Sequence, residues 1–336
     1  MKATVVCFGE LLLRLSAPAG ELLLQSPHLQ ARFGGAEANV AVSLARWGHD
    51  ARLVGRLPAD ALGDAARAEV RRHGVDVSAV TPGEGRMGLY YLTPGAVLRP
   101  SEVLYDRAGS AFALTPPSAY DWNALLAGAQ WLHLSGVTPA VGPLAAEAAL
   151  EAAAAARRLG VKVAFDGNYR SKLWAAWGGD AAGILGRLLA QADLAFVDER
   201  DLALVFGRGF EAASVHERRR EAAVAAFEAF PHLQHLAATV RVQHAVDDQE
   251  LSGLMFERGG GETAAGPYRL TGVVDRIGAG DAFAAGVLHG LLAGEPPLAF
   301  GLAAAAQKHS VAGDFNLVSV DEVRALVRGG GLDVKR

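Results

Sequence analysis

The chain has 336 residues, 51% of them hydrophobic and 20% charged, and its formal net charge is −4. That balance is too apolar for a disordered chain, and it disfavours nucleic acid and anionic lipid as partners, whose binding proteins are usually basic. No stretch is apolar for long enough to cross a bilayer, and one cysteine, Cys7, can form neither an internal disulfide nor a cysteine zinc site.

Residues 4–8 open the chain as an apolar strand, with Cys7 expected as an inert core thiol. The apolar run that follows is broken by Glu10 and Arg14 and lacks a small-residue cleavage site, so a cytoplasmic enzyme is expected. Residues 10–33 alternate in strand-like fashion. A helix is predicted over 38–47, stopped by Gly48, and a strand over 50–54. Residues 86–112 again alternate, as in Gly88-Leu89-Tyr90-Tyr91-Leu92 and Glu102-Val103-Leu104-Tyr105. Further strands are predicted at 131–134, 161–165, 194–197 and 236–240, with a helix over 143–159 that ends at Gly160. Near-continuous apolar strands alternating with amphipathic helices indicate an α/β fold with a doubly wound, mainly parallel sheet. The two alternating regions leave two readings open: one small accessory sheet forming a lid over a cleft, or hairpins on the edge of the main sheet. We treat 1–336 as a single domain, with the lid formed by about 10–33 and 86–112.

Two glycine turns carry polar chemistry. Gly278-Ala279-Gly280-Asp281 runs into the apolar helix predicted over 282–292. A glycine turn at a helix start exposes unpaired N–H groups at the positive end of the helix dipole, where an anion such as phosphate is stabilised. Asp281 there reads either as a plain N-cap or as a group that accepts a proton from an attacking hydroxyl. The turn is neither a Walker loop nor a dinucleotide fingerprint. Gly34-Gly35-Ala36-Glu37-Ala38-Asn39 likewise precedes a helix, with Glu37 and Asn39 at a mouth suited to sugar hydroxyls.

Together these segments resemble the two signature regions of the ribokinase-like (PfkB-type) carbohydrate kinases: Gly34-Gly35-Ala36-Glu37-Ala38-Asn39-Val40-Ala41, and Asp275 to Asp281 followed by Ala282-Phe283-Ala284-Ala285-Gly286. The likeness runs from Phe8-Gly9-Glu10 to the helices after Asp281. It implies a ribokinase-like fold, Asp281 as catalytic base, and an anion hole formed by the Gly278-Ala279-Gly280 turn, with the N–H groups of Ala279, Gly280 and Asp281 as its donors. Tyr90, the run Tyr105-Asp106-Arg107-Ala108-Gly109-Ser110-Ala111, Asp166-Gly167-Asn168-Tyr169-Arg170 with Leu173-Trp174, and the late run from Lys308 to Asn316 look like the 2-keto-3-deoxygluconate kinases within that family. The resemblance then places Gly35, Ala36, Glu37, Ala38, Asn39, Tyr90, Tyr105, Asp106, Arg107, Arg170, Asp281 and Asp314 around the sugar acid. It places Asn168, Tyr169, Arg170 and the 278–281 turn around the nucleotide; Arg241 and Gln243 are candidates there by position only, since their stretch departs from the family pattern. Arg107 and Arg170 offer planar donor forks for a carboxylate, which a neutral sugar would not need. Taken singly, an arginine more often serves a salt bridge.

The implied partners are a small sugar acid and ATP with Mg²⁺, a monovalent cation such as K⁺ being a further candidate; no residue is singled out as a metal ligand. A homo-oligomer is expected, because accessory sheets in this family often pair between subunits. Two departures from the family pattern stand out. Arg276 occupies a position that commonly holds threonine. The stretch Thr239-Val240-Arg241-Val242-Gln243-His244-Ala245 lacks the usual Lys-x-Gly-x-x-Gly-like turn, which keeps a catalytically silent sensor as an alternative; a kinase of fructose, ribose or a nucleoside on the same fold is another, with Arg107 and Arg170 as the discriminating features. Elsewhere, Arg218-Arg219-Arg220 reads as a solvated helix face, the His232/His235 pair as solvated, and Trp122, Trp131, Trp174 and Trp177 as packing.

Overall fold

The computed structural model describes residues 3–330. Its strands are β1 (Thr4–Phe8), β2 (Leu12–Ser16), β3 (Gln30–Gly34), β4 (Asp50–Pro58), β5 (Val80–Gly83), β6 (Leu89–Thr93), β7 (Glu102–Asp106), β8 (Trp131–Ser135), β9 (Lys162–Asp166), β10 (Leu194–Phe196), β11 (His235–Ala245), β12 (Asp248–Glu257) and β13 (Glu262–Thr271). Nine of them form one sheet in the order β13-β12-β11-β10-β9-β8-β1-β4-β5. Pairing is parallel from β11 through β5, and β12 and β13 add an antiparallel edge.

Side-chain alternation along the strands explains the layering. In β1, Val5 and Cys7 enter one core, while Val6 and Phe8 enter the other. The first core lies under the helices Ala36–Arg46, Ala279–Ala293 and Pro297–Lys308; the second lies under Pro143–Arg158, Ala181–Leu189 and Val215–Ala229. Helices on both faces require strands apolar on both faces, which is the pattern the sequence carries. Cys7 is fully buried, and burial pushes its thiol far above the ordinary range, so it stays protonated.

Four strands form a separate sheet in the order β3-β2-β6-β7. Of the two readings left open for residues 10–33 and 86–112, the accessory sheet is the one observed. Because β2 and β6 pair in parallel, they need a crossover between them, and β4 with its helix Ala61–Arg71 lies in that interval. Leu12, Tyr90 and Leu92 make its small core, against which Val103, Tyr105 and Ile277 pack.

The strand expected at 236–240 runs on to Ala245 and turns into β12, so the missing glycine turn is replaced by a long hairpin. The tip of that hairpin reaches the loop of the small sheet, where the Val246 N–H donates to the Val97 carbonyl at 3.2 Å. Neither β12 nor β13 is expected from the sequence. Arg219 corrects the solvated-face reading: it is buried, its Nε meets Glu199 at 2.9 Å and its Nη1 donates to the Thr239 carbonyl at 2.9 Å.

Candidate active site

A cleft of about 610 Å³ lies outside the carboxyl ends of β8 and β9, facing the small sheet. This is where open α/β sheets usually bind ligands. One wall is the small sheet, through Leu12, Tyr90, Val103, Tyr105 and Arg107. The floor comes from Gly35, Ala36, Asn39 and the 278–281 turn, and the far rim from Asp166, Asn168, Arg170, Arg241 and Arg276.

The floor is built by glycine. Gly278 caps the helix Ala279–Ala293 at φ +82°, in the left-handed region, and a Cβ there would collide with the Asp314 carbonyl. A Cβ on Gly280 would meet no protein atom within 4 Å, so this residue opens straight into the cleft. Among the described residues the Gly280 and Asp281 N–H groups have no hydrogen-bond partner. The Ala279 N–H instead turns back to the Arg276 carbonyl at 3.3 Å. The anion turn therefore offers two backbone donors, not the three expected, because the first helical residue closes the tight turn from Arg276.

Asp281 is 8% exposed and its Oδ2 accepts from Asn39 Nδ2 at 2.6 Å. Burial pushes its carboxyl up to about 7. The Asn39 bond opposes this, Glu37 and Asp314 add to it, and Arg170 pulls it back down. Asp281 is thus a carboxylate able to hold or release a proton near neutral pH. Asp166 is also raised well above the ordinary carboxylate range, first by burial and then by Asp281 and Asp201; Asp201 is itself pushed up to about 6, mainly by burial.

A buried ionic network stands behind the floor. Arg14, 4% exposed, bridges Asp275 at 2.8 Å and Asp314 at 2.9 Å, and its Nε donates to Ser16 at 2.6 Å. The Tyr90 hydroxyl donates to the other Asp314 oxygen, and Asp275 accepts the N–H groups of Ile277 and Gly313 at 3.0 Å each. Lys308 is 0% exposed, and its Nζ donates to the carbonyls of Val311 at 3.0 Å and Asp275 at 3.3 Å. Burial pulls its ammonium down to about 8 against the support of Asp275 and Asp314. Small sheet, anion turn and the segment around Asp314 are tied into one support.

Most residues named from sequence meet in this cleft: Gly35, Ala36, Asn39, Tyr90, Tyr105, Arg107, Asn168, Arg170, Arg241, Gly278, Gly280, Asp281 and Asp314. Five do not line it. Glu37 is 1% exposed and accepts from the Ser135 N–H and hydroxyl and the Thr138 hydroxyl at 2.9, 2.6 and 2.7 Å. Gly35 and Asn39 share a helix face by their four-residue spacing, which turns Glu37 and Ala38 inward. Tyr105 in β7 and Arg107 just beyond its end line the cleft, so Asp106 between them points the other way and pairs with Arg86. Tyr169 packs on the second core, and Ala279 is buried at the helix start.

Arg107 needs a partial correction. It lines the cleft, but its Nε binds Glu10 at 2.6 Å, both residues being buried, so part of its charge is already matched. Sequence reading missed Arg14, Lys308 and Glu10 as parts of the site. The available signal was charge inside apolar runs: Glu10 and Arg14 interrupt Leu11-Leu12-Leu13 and Leu15, where only buried partners make a charge tolerable. Among the described residues no group of three or more His, Cys, Asp or Glu could hold a metal ion, and no helix is long and apolar enough to cross a membrane.

The signature of the pfkB family carbohydrate kinases matches residues 2–317. A 2-dehydro-3-deoxygalactonokinase of Haloferax volcanii is 35% identical over 339 residues, with both chains fully covered. The crystal structure of the 2-dehydro-3-deoxygluconokinase of Thermotoga maritima superposes with a TM-score of 0.91 at 35% identity, covering 97% of this chain and 100% of the other. A pfkB family carbohydrate kinase of Listeria grayi gives a TM-score of 0.88 at 34% identity, with 97% and 99% covered.

Proposed function

Since the chain belongs to the pfkB family of carbohydrate kinases, we propose that it phosphorylates 2-keto-3-deoxygluconate on its 6-hydroxyl, with ATP as donor, giving the 6-phosphate. The observation that carries this reading is the position of Arg170. It lines the cleft that ends at Asp281, and among the described residues its side chain has no acidic hydrogen-bond or salt-bridge partner. An unpaired guanidinium facing the acceptor end suits a substrate carboxylate, and the remaining donors of Arg107 stand on the opposite wall.

In this reading Tyr90, Tyr105, Arg107 and Arg170 hold the sugar acid, and Asn39 orients the carboxylate of Asp281. Asp281 takes the proton of the 6-hydroxyl as that oxygen bonds to the terminal phosphorus and the bond from phosphorus to the leaving diphosphate oxygen breaks. The free N–H groups of Gly280 and Asp281 meet the charge on the transferring group. The residues present fit Mg²⁺: Asp166 and Asp281 both line the cleft, and the charge of Asp281 adds to burial in raising Asp166, a repulsion a cation would relieve. Bound Mg²⁺ supplies neutralisation of the phosphates, and it characteristically takes one or two protein carboxylates beside them. The small sheet serves as a lid that excludes water and limits idle ATP hydrolysis.

Similarity to the Haloferax volcanii enzyme favours a second acceptor, 2-keto-3-deoxygalactonate, which differs only in configuration at C4. The test is ADP release with each of the two sugar acids, fructose and ribose. We expect turnover with a sugar acid and little with the neutral sugars; the ratio of the two acids decides the epimer. Efficient turnover of fructose or ribose alone would sink the sugar-acid reading, and no ADP release with any acceptor would favour a silent sensor.

A further inference from the structure

Arg276 and Arg241 are the two positions where the sequence leaves the family pattern, and the fold brings them together. Arg276 lies two residues before Gly278. Arg241 stands on the extended part of β11, the stretch that replaces the glycine turn, and both line the cleft. Among the described residues neither guanidinium has a hydrogen bond or an ion pair. Of the cleft acids, Asp314 is held by Arg14 and Tyr90 and Asp281 by Asn39, and among the described residues Asp166 forms no ion pair with either arginine. Crowding in the cleft and then the charge of Arg276 pull the Arg241 guanidinium down to about 10, although its side chain reaches solvent; burial lowers Arg276 as well. Two like charges lining one cleft with no ion-pair partner cost stability, and an anion between them would remove that cost.

Arg107 lies on the wall of the small sheet, with Tyr90 and Tyr105, while Arg170 shares the far rim with Arg241 and Arg276. Of these, Arg276 precedes the anion turn, two residues before Gly278, and the two residues with free N–H groups line the same cleft. A carboxylate has two oxygens and is matched by one planar fork. A row of phosphates has several and can engage two forks and the backbone donors at once.

We propose that Arg241 and Arg276 form a polyphosphate clamp, gripping the terminal phosphates of the nucleotide beside the 278–281 turn. The clamp rests on the kinase reading above and explains how the site works without the glycine turn. Backbone donors that would approach the phosphates through glycine are replaced by two charged side chains. Because Val246 at the tip of the same hairpin binds Val97 of the small sheet, the strand carrying Arg241 is braced at both ends.

Calorimetric titration tests this with inorganic tripolyphosphate, the non-hydrolysable analogue AMP-PNP with Mg²⁺, and adenosine. The proteins are wild type, Arg241→Leu, Arg276→Leu and the two Arg→Lys variants. Each leucine variant should bind tripolyphosphate and AMP-PNP about tenfold or more weakly. Adenosine binding and the KM for the sugar acid should stay within about twofold, and the lysine variants, keeping the charge but losing the fork, should fall between. Unchanged tripolyphosphate affinity in both well-folded leucine variants would overturn the clamp. So would a loss confined to the sugar acid, which would assign the pair to the acceptor carboxylate. If one leucine variant fails to fold, its lysine counterpart and the other leucine variant carry the same test. Tripolyphosphate binding that depends on both arginines, in a protein that phosphorylates no sugar acid, would uphold the clamp and reject the acceptor instead.

Discussion

Arg14 lies behind the floor of the cleft and Arg170 on its rim, and their surroundings are opposite. Arg14 is enclosed by Asp275, Asp314 and Ser16, with every contact made inside the protein. Arg170 reaches the cleft exposed and without an acidic hydrogen-bond partner among the described residues, close enough to Asp281 and Asp166 only to shift their titration. One arginine has spent its donors on architecture and the other keeps them for a ligand. Pairing state, more than residue type, separates the support from the site.

Removing Arg14 should break this contrast most severely. Arg14→Leu leaves two carboxylates buried without their cation, and losing one partner of a buried pair costs about 3–5 kcal/mol. Chemical denaturation should show that loss; a drop under about 1 kcal/mol would mean the network is not a structural support. Next comes Asp281→Asn, which removes the proton acceptor and keeps the shape. We expect kcat to fall by about a hundredfold or more, with a smaller change in KM and little change in melting temperature. A variant with near-normal kcat would take Asp281 out of the base role. Arg170→Leu should leave the fold intact and raise KM for the sugar acid by about tenfold, with little effect on KM for ATP. Equal effects on both would argue against carboxylate recognition.

The smallest expected effect is on pH dependence. Burial raises Asp281 to about 7, so below that pH the free enzyme holds the proton and cannot accept another. The kcat/KM for the sugar acid should therefore rise as pH increases through about 7 and level off above it. Arg170 pulls this pKa down, so Arg170→Leu should move the rising limb to higher pH. A limb that stays in place would show that the two groups do not sense each other.

What was legible in the sequence follows the same division. Strand β1 and the helix Pro143–Arg158 could be read because their burial is local and repeats with a simple period. Strand β13 could not: it is an edge strand with mostly exposed side chains, so no apolar alternation marks it, whereas β12 does carry an alternating pattern that ends in the buried run Leu254-Met255-Phe256. The glycine turns were visible because their chemistry sits in consecutive residues. Glu37 misled because a two-residue offset on a helix reverses the face, and the partners that claim it, Ser135 and Thr138, lie about a hundred positions away. Arg14 was invisible as a functional support for the same reason, since Asp275 and Asp314 meet it only after folding.

The central claim is that an unpaired arginine in this cleft reads the charge of the acceptor. The most direct test is the ratio of kcat/KM for 2-keto-3-deoxygluconate over fructose, measured in the wild type and in Arg170→Leu. A lost charge-assisted contact is worth about tenfold or more, so the wild-type ratio should be large and should fall by at least that factor in the variant. A ratio near one in the wild type, or one that Arg170→Leu leaves unchanged, would contradict the account.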